Sequence, residues 1–217
     1  MKIESIQSYL VANGYILQIR TDTGITGLGQ TAYWGYPEAV EAIVKRFENY
    51  LIGQNPLRIE HHWQYLYRMS PFKGNALSGA ISAIDIALWD IKGKHLDVPV
   101  WELLGGNCRD KIRLHLLADQ PNPEAMYQAA KSAVSEGFTA IKFDPLVDGF
   151  QNMTQDQMIK SVRDIVAAAR SGGGSGLDLI AEVHRKLSPM NSIALAEHLA
   201  EFNLYFIEDP IQIDSIT

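Results

Sequence analysis

The sequence has 217 residues, of which 47% are hydrophobic and 20% charged, a composition typical of a globular protein with ample material for a core. Its formal net charge of −6 argues against nucleic acid or an anionic membrane as a partner, because both favour a basic surface. The single cysteine, Cys108, excludes an internal disulfide and favours a reducing compartment. The first residues lack the apolar stretch of a signal peptide and no run could span a bilayer, so we expect a cytoplasmic protein.

The first part of the chain has the pattern of a β-meander followed by helices. Apolar and polar residues alternate over residues 3–11, 15–21 and 25–31, and turn pairs such as Asn13-Gly14 separate these runs. Helical spacing of apolar residues follows, which predicts helices at residues 37–51, 58–67 and 77–94. Residues 1–110 are therefore expected to form an α+β module.

From Lys111 onwards, predicted strands and helices alternate. Helical spacing predicts helices at residues 123–136, 154–170 and 189–202, and strands are predicted at 112–117, 138–143, 177–183 and from Leu204. Such βα repeats form parallel strands with right-handed crossovers, as in an α/β sheet or barrel.

A closed barrel needs about eight strands, so residues 111–217 would supply only about the first four. We therefore expect the sequence to be a fragment of a longer protein. The alternatives are an open sheet, or a remainder that is supplied elsewhere.

Two acids, Glu182 and Glu208, end consecutive predicted strands. The carboxyl ends of parallel strands meet at one edge of the sheet, where such folds place ligands and catalysis. Two carboxylates there could bind Mg²⁺, which prefers hard oxygen ligands. The alternative, equally open from spacing alone, is that these acids pair with nearby lysines or cap the following helix. A third metal ligand would have to come from a strand beyond Thr217.

Three further polar residues are predicted at the same edge. His184 lies two residues after Glu182, so strand alternation would place it on the same face, where an imidazole could act as a general acid. Lys142 ends another strand and could bind a substrate carboxylate, and Asp144 could contact substrate in the same cavity. The alternatives are a surface or capping histidine and a simple Lys-Asp pair at the strand exit.

A glycine motif near the N-terminus, Gly27-x-Gly29-x-x-Ala32, formally fits a dinucleotide-binding fingerprint. That fingerprint requires a strand, a glycine-rich turn and a helix within a βαβ unit. The motif lies instead in the predicted meander, so we reject the dinucleotide interpretation.

Four segments spread along the chain share their order and composition with one known family. They read AISAIDIALWDIKGK at residues 80–94, PVWELLGG at 99–106, GFTAIK at 137–142 and YFIEDP at 205–210. These segments resemble the mandelate racemase and muconate lactonizing branch of the enolase superfamily. The resemblance implies an α+β capping domain over residues 1–110, followed by a (β/α)7β TIM-like barrel whose truncated N-terminal half occupies residues 111–217.

The resemblance also implies roles for the residues at the strand ends. Glu182 and Glu208 match the first two Mg²⁺ ligands, while the third ligand and a histidine-aspartate base belong to later strands. Lys142 matches the first lysine of a Lys-x-Lys motif, and Asp144 replaces the second, which argues against an enzyme that takes its base from that lysine. The pairing Glu182-x-His184 resembles sugar-acid dehydratases of the galactonate dehydratase type, with His184 as the general acid.

The activity implied by the resemblance is Mg²⁺-dependent dehydration of a sugar acid to a 2-keto-3-deoxy acid. The alternatives are a racemase, epimerase or cycloisomerase of the same superfamily, or an inactive fragment or non-catalytic relative. Two capping-domain loops would contact the substrate through Tyr33, Trp34 and Lys73. We also expect a homo-oligomer, and we expect the 217 residues alone to be inactive.

Overall fold

The computed structural model describes residues 1–12, 14–31 and 35–212. The chain divides into two compact units, Met1–Asp110 and Lys111–Thr217, and each unit has its own apolar core. Among the helices of the described residues, none is long and apolar enough to cross a membrane.

The first unit contains an antiparallel three-stranded sheet. Its strands follow one another in space as in sequence: β1 (Ile3–Val11), β2 (Gly14–Thr21) and β3 (Thr26–Thr31). Alternate residues of the central strand β2 face the core, and Tyr15, Leu17 and Ile19 are fully buried. The period of two predicted from the sequence is therefore the period of burial.

Helices follow, and the longest of them packs on this sheet. They are α1 (Pro37–Leu51), α2 (Ile59–Arg68), α3 (Asn75–Leu96) and the single-turn α4 (Val100–Leu103). The long helix α3 buries eight residues, more than any other helix of the unit, and is the centre of its core.

The glycines of the rejected dinucleotide motif have a packing role. A Cβ atom on Gly27 would lie 2.1 Å from the carbonyl oxygen of Ala87, and one on Gly29 would lie 1.9 Å from that of Ala83. Both carbonyls belong to α3, so only residues without a side chain allow β3 and α3 to approach this closely.

The second unit is a parallel sheet with helical crossovers. Its strands are β4 (Leu116–Leu117), β5 (Ala140–Phe143), β6 (Asp178–Glu182) and β7 (Phe206–Glu208), in that spatial order. The crossover helices are α5 (Pro123–Ser135), α6 (Gln155–Gly173) and α7 (Pro189–Leu199). Short 3-10 turns occupy Phe150–Asn152 and Ala200–Phe202.

Two element predictions for this unit were wrong in extent. The strand predicted at 112–117 is reduced to Leu116–Leu117, which pairs only with β5 among the described residues, and Ile112 and Leu114 are exposed. The helix predicted at 154–170 continues to Gly173, three residues beyond its predicted end. A Cβ on Gly172 would lie 2.2 Å from the carbonyl oxygen of Tyr127 in α5, so close helix packing explains this glycine.

Candidate functional site

The carboxyl ends of β6 and β7 bring two acids side by side. The strands are parallel, and their register pairs Glu182 directly with Glu208. Both acids are the last residues of their strands, as expected for an acid that ends an apolar run. The structure thus places both side chains at the edge where α/β folds carry their sites.

Lys142, from the adjacent strand β5, lies between these acids. Its Nζ is 2.8 Å from Oε2 of Glu182 and 3.3 Å from Oε2 of Glu208. The side chains of Lys142 and Glu182 are only 18% and 12% exposed, which limits screening of this ion pair by water. The hydrogen bond to Glu182 raises the pKa of Lys142, burial opposes the rise, and Glu208 adds to it. The ammonium therefore offsets the repulsion between two neighbouring carboxylates.

His184 reaches the same place by a different route from the one predicted. Strand alternation cannot position it, because β6 ends at Glu182 and the backbone of His184 is left-handed, with φ of 56°. The turn nevertheless leaves Nε2 of His184 3.5 Å from Oε1 of Glu182. The proximity was predicted, but the reason given for it was wrong.

Asp144, just beyond β5, joins His184 to the rest of the site. Its Oδ2 accepts a hydrogen bond of 3.1 Å from Nδ1 of His184 and a second bond from Nζ of Lys186. Its Oδ1 accepts from the backbone amide of Leu146 at 2.9 Å. We call these six residues the edge cluster: Lys142, Asp144, Glu182, His184, Lys186 and Glu208.

Several residues around this cluster were not predicted from the sequence. Lys186 was not singled out, although it lies two residues after His184 in a basic run of the same loop. Arg185 forms an ion pair with Asp209, and its backbone amide donates to the carbonyl oxygen of Asp209 at 2.6 Å. Asp119 accepts from the backbone amide of Asp144 at 2.7 Å. The available signal was charged residues within four positions after the ends of strands β4, β6 and β7.

The donor set of the edge cluster fits part of a magnesium site. Glu182 and Glu208 offer carboxylate oxygens, the ligands that Mg²⁺ prefers, and they already share one cation, the ammonium of Lys142. Within residues 1–12, 14–31 and 35–212, no group of three or more His, Cys, Asp or Glu side chains is placed to hold a metal. The described residues thus offer two candidate metal ligands, and a complete site would need further ones.

The substrate contacts predicted for the capping-domain loops involve Tyr33, Trp34 and Lys73. Tyr33 and Trp34 lie outside the described residues. Within the first unit, the ammonium of Lys73 donates to the carbonyl oxygens of Tyr67 and Ser70 and lies 4.4 Å from the centre of the Tyr67 ring. Lys73 thus bonds to its own loop, and its contact with a substrate stays a prediction.

Comparison with known families identifies the chain. Residues 4–105 match the family model described as mandelate racemase / muconate lactonizing enzyme, N-terminal domain. Residues 125–217 match the model described as enolase C-terminal domain-like. The chain belongs to the mandelate racemase / muconate lactonizing enzyme branch of the enolase superfamily. The predicted family and the predicted fold, a capping domain followed by part of a barrel, are confirmed.

The curated relatives of this chain include D-galactonate dehydratases. Those of Xanthomonas euvesicatoria pv. vesicatoria (strain 85-10) and Pectobacterium atrosepticum are 36% identical to it, and each alignment covers 97% of this chain and 56% of the relative. The chain therefore spans about half the length of the curated relatives it matches.

Solved structures of the superfamily share its fold. A member of the enolase superfamily from Salmonella Typhimurium superposes with a TM-score of 0.88 at 32% identity, over 97% of this chain and 62% of that one. An enolase from Agrobacterium radiobacter, solved with sodium and L-malate bound, gives a TM-score of 0.89 at 28% identity, over 100% of this chain and 57% of that one.

Proposed function

We propose that the protein containing this chain is a Mg²⁺-dependent hydro-lyase that converts a sugar acid of the aldonate type into a 2-keto-3-deoxy acid. One observation carries the proposal: Glu182 and Glu208 are paired in register, with Lys142 between them and His184 beside Glu182. The D-galactonate dehydratases among its relatives support the substrate class.

The two acids are proposed to hold the cation. When bound by Glu182 and Glu208, Mg²⁺ supplies a positive field for the negative charge that develops as the proton next to the substrate carboxylate is removed. The two side chains are already aligned by the β6–β7 register, so little reorganisation of the backbone is needed.

Lys142 is proposed to bind the substrate carboxylate. Its ammonium stays charged at neutral pH, because the hydrogen bond to Glu182 raises its pKa. A charged donor 18% exposed at the sheet edge can exchange one carboxylate partner for another without a change in protonation. It would then stabilise the charge that the substrate carboxylate gains as the α-proton is lost.

His184 is proposed to act on the leaving group. Loss of the β-hydroxyl breaks a carbon–oxygen bond, and the departing oxygen needs a proton to leave as water. Nδ1 of His184 is bonded to Asp144, so Nε2 is the atom that would deliver this proton. The enol that remains then converts to the 2-keto-3-deoxy product by taking up a proton at carbon 3.

The position of Asp144 disfavours the racemase and cycloisomerase alternatives. In the family motif, a second lysine at this position would supply the base. Here Oδ2 of Asp144 already accepts hydrogen bonds from His184 and Lys186, so it is not free to take a proton from the substrate.

The test uses the full-length protein with MgCl₂ and a panel of aldonates and aldarates, with 2-keto-3-deoxy acids measured as products. We expect at least one aldonate to be dehydrated, and we expect activity to fall below detection in the Glu208→Gln variant. The exposed surface variant Lys160→Gln is the matched control and should keep full activity. Exchange of the α-proton with solvent deuterium without loss of water would contradict the dehydratase proposal and favour an epimerase.

The same assay tests the 217-residue chain by itself. We expect no product from it, because it spans only 56% of the relatives named D-galactonate dehydratase and the described residues supply two metal ligands. Turnover by the isolated chain would contradict this expectation.

A further inference from the structure

The turn that carries His184 does not by itself hold the imidazole in place. His184 and Arg185 both have left-handed backbones, with φ of 56° and 61°, a strained conformation for residues other than glycine. Such a turn persists only where its surroundings hold it. The bond from the Arg185 amide to Asp209 holds the backbone, and the imidazole needs an anchor of its own.

Asp144 supplies that anchor and is itself held from two sides. Its backbone amide donates to Oδ1 of Asp119 at 2.7 Å, and its own Oδ1 accepts from the Leu146 amide at 2.9 Å. The side chain is only 14% exposed. The carboxylate is therefore fixed before it meets His184, as an orienting residue must be.

The direction of the His184 bond follows from the chemistry of its partner. A carboxylate oxygen only accepts hydrogen bonds, so Nδ1 of His184 must donate to Oδ2 of Asp144. The opposite ring nitrogen, Nε2, is then directed to Glu182, 3.5 Å away. The same Oδ2 also accepts from Lys186. Three of the roughly four acceptor sites of the Asp144 carboxylate are thus taken by protein donors, which leaves at most one, on Oδ1, for any other donor.

We propose that Asp144 is a positioning residue that holds the imidazole of His184 with Nε2 turned toward the reacting atoms, and that it does not bind the substrate. This inference rests on the proposed function, in which His184 is the general acid. It replaces the substrate contact expected for Asp144 from the sequence, and it assigns a purpose to the acid that stands where the family motif has a second lysine.

The kinetic test uses the full-length protein and its dehydration of an aldonate. Asp144→Ala is expected to lower kcat about 10–100-fold, the usual cost of losing an orienting partner, with KM changed less than twofold. Asp144→Asn keeps an oxygen that accepts from Nδ1 and should recover most of kcat. A raised KM with unchanged kcat in Asp144→Ala would overturn the proposal, because it indicates a substrate contact.

A double-mutant cycle separates positioning from an independent role. In a His184→Asn background, Asp144→Ala should cause no further loss of kcat, since the residue it positions is already gone. Multiplicative losses would overturn the proposal. Lys160→Gln, an exposed substitution outside the edge cluster, is the control and should keep kcat within about threefold in both backgrounds.

A spectroscopic arm does not depend on turnover. At one fixed pH, ¹⁵N-labelled histidine in the wild-type protein should show His184 with a hydrogen-bonded proton on Nδ1, and Asp144→Asn and Asp144→Ala should shift that signal progressively. Unchanged His184 signals in both variants would overturn the positioning role. If no sugar acid is turned over, the proposed function fails, while this measurement still decides whether Asp144 orients the ring.

Discussion

The helices of the two units begin in different ways. In the second unit, α5, α6 and α7 each follow a residue whose side chain accepts from the backbone amide three positions on, and these residues are Asn122, Thr154 and Ser188. In the first unit, none of the helices α1–α4 has such a side-chain cap among the described residues. The barrel helices are thus started by local signals, whereas α1, α2 and α3 of the capping domain lack such caps and bury apolar residues in the core of their unit.

The two units also differ in how their buried and partly buried polar side chains are paired. In the first, His62 is fully buried and both ring nitrogens are bonded, to the Tyr50 hydroxyl at 2.9 Å and to the Asn55 carbonyl oxygen at 2.8 Å. In the second, the edge cluster keeps its charges partly exposed and close together. A buried side chain whose hydrogen bonds are all made within the protein stabilises the fold. Partly exposed charged side chains can exchange a protein partner for a ligand, which suits binding and catalysis.

The largest expected effect breaks the packing of the first unit. Gly29→Ala would place a Cβ 1.9 Å from the backbone oxygen of Ala83, which only a shift of strand or helix can relieve. We expect a loss of at least about 3 kcal/mol in the free energy of unfolding, measured with urea. Gly14→Ala is the control, since its Cβ would lie 3.4 Å from the nearest atom, and it should change stability by less than about 0.5 kcal/mol. Equal stabilities of the two variants would contradict the packing account.

The second-largest effect is expected from removing the Lys142 ammonium from the edge cluster. Lys142→Met leaves Glu182 and Glu208 side by side without the ammonium between them. We therefore expect the free energy of unfolding to fall by about 1–3 kcal/mol, less than the ~3–5 kcal/mol lost when a fully buried ion pair is broken. In the full-length protein, MgCl₂ should raise the unfolding midpoint of this variant more than that of the wild type, because ammonium and Mg²⁺ compete for the same carboxylates. NaCl at matched ionic strength is the control, and equal shifts with MgCl₂ would argue against competition.

The pH dependence of that difference follows from the raised pKa of Lys142. The stability from this ion pair is fully present below the ordinary value of 10.5 and is lost as the pH rises through the higher folded-state pKa. The stability difference between wild type and Lys142→Met should therefore be flat from about pH 7 to 9 and should narrow only in stronger alkali.

A smaller effect concerns the buried histidine of the first unit. Burial lowers the pKa of His62 below 6.5, so the unfolded chain binds more protons near that pH and stability falls as the pH drops below 6.5. His62→Gln should lower the free energy of unfolding by about 1–2 kcal/mol at pH 8. It should also make stability depend less on pH, as measured by urea unfolding between pH 8 and about pH 5. The neighbouring exposed residue provides the control, since His61→Gln should leave the decline unchanged. A decline of the same size in both variants would assign it to other groups.

The smallest effect tests the local start of a barrel helix. Thr154 and Gln157 form a reciprocal capping box at the start of α6, so Thr154→Ala should cost about 1 kcal/mol. Ser161→Ala, inside the same helix, should cost nothing measurable because alanine favours the helix. If both variants unfold at the same urea concentration, the cap has no influence on where α6 begins.

Much of the second unit was predictable because its signals are local and repeated. Apolar runs that end in an acid placed Glu182 and Glu208 at strand ends, and parallel pairing then required them to share an edge. The extents of β4 and α6 were not predictable in the same way. The length of β4 depends on which strands pair with it, and the end of α6 depends on how closely Gly172 approaches α5.

The composition of the edge cluster was less accessible than the strand ends. Asp144 and His184 are separated by 40 residues, and their contact depends on a left-handed turn that no alternation pattern predicts. Lys186 was overlooked for the same reason, since its partner is Asp144 and not a residue near it in sequence.

The amino-acid pattern alone was enough for the two architectures and for the acids at the ends of β6 and β7, because strand period, helix period and the direction of parallel crossovers depend on local spacing. The family was predicted from the resemblance of four sequence segments to its members. The tertiary structure was needed to show that Lys142 bridges those acids and that Asp144 bonds to His184. It was also needed to show that Gly27 and Gly29 allow close packing against helix α3. These are contacts between atoms far apart in the chain, and only the packed structure specifies which of them come within bonding distance.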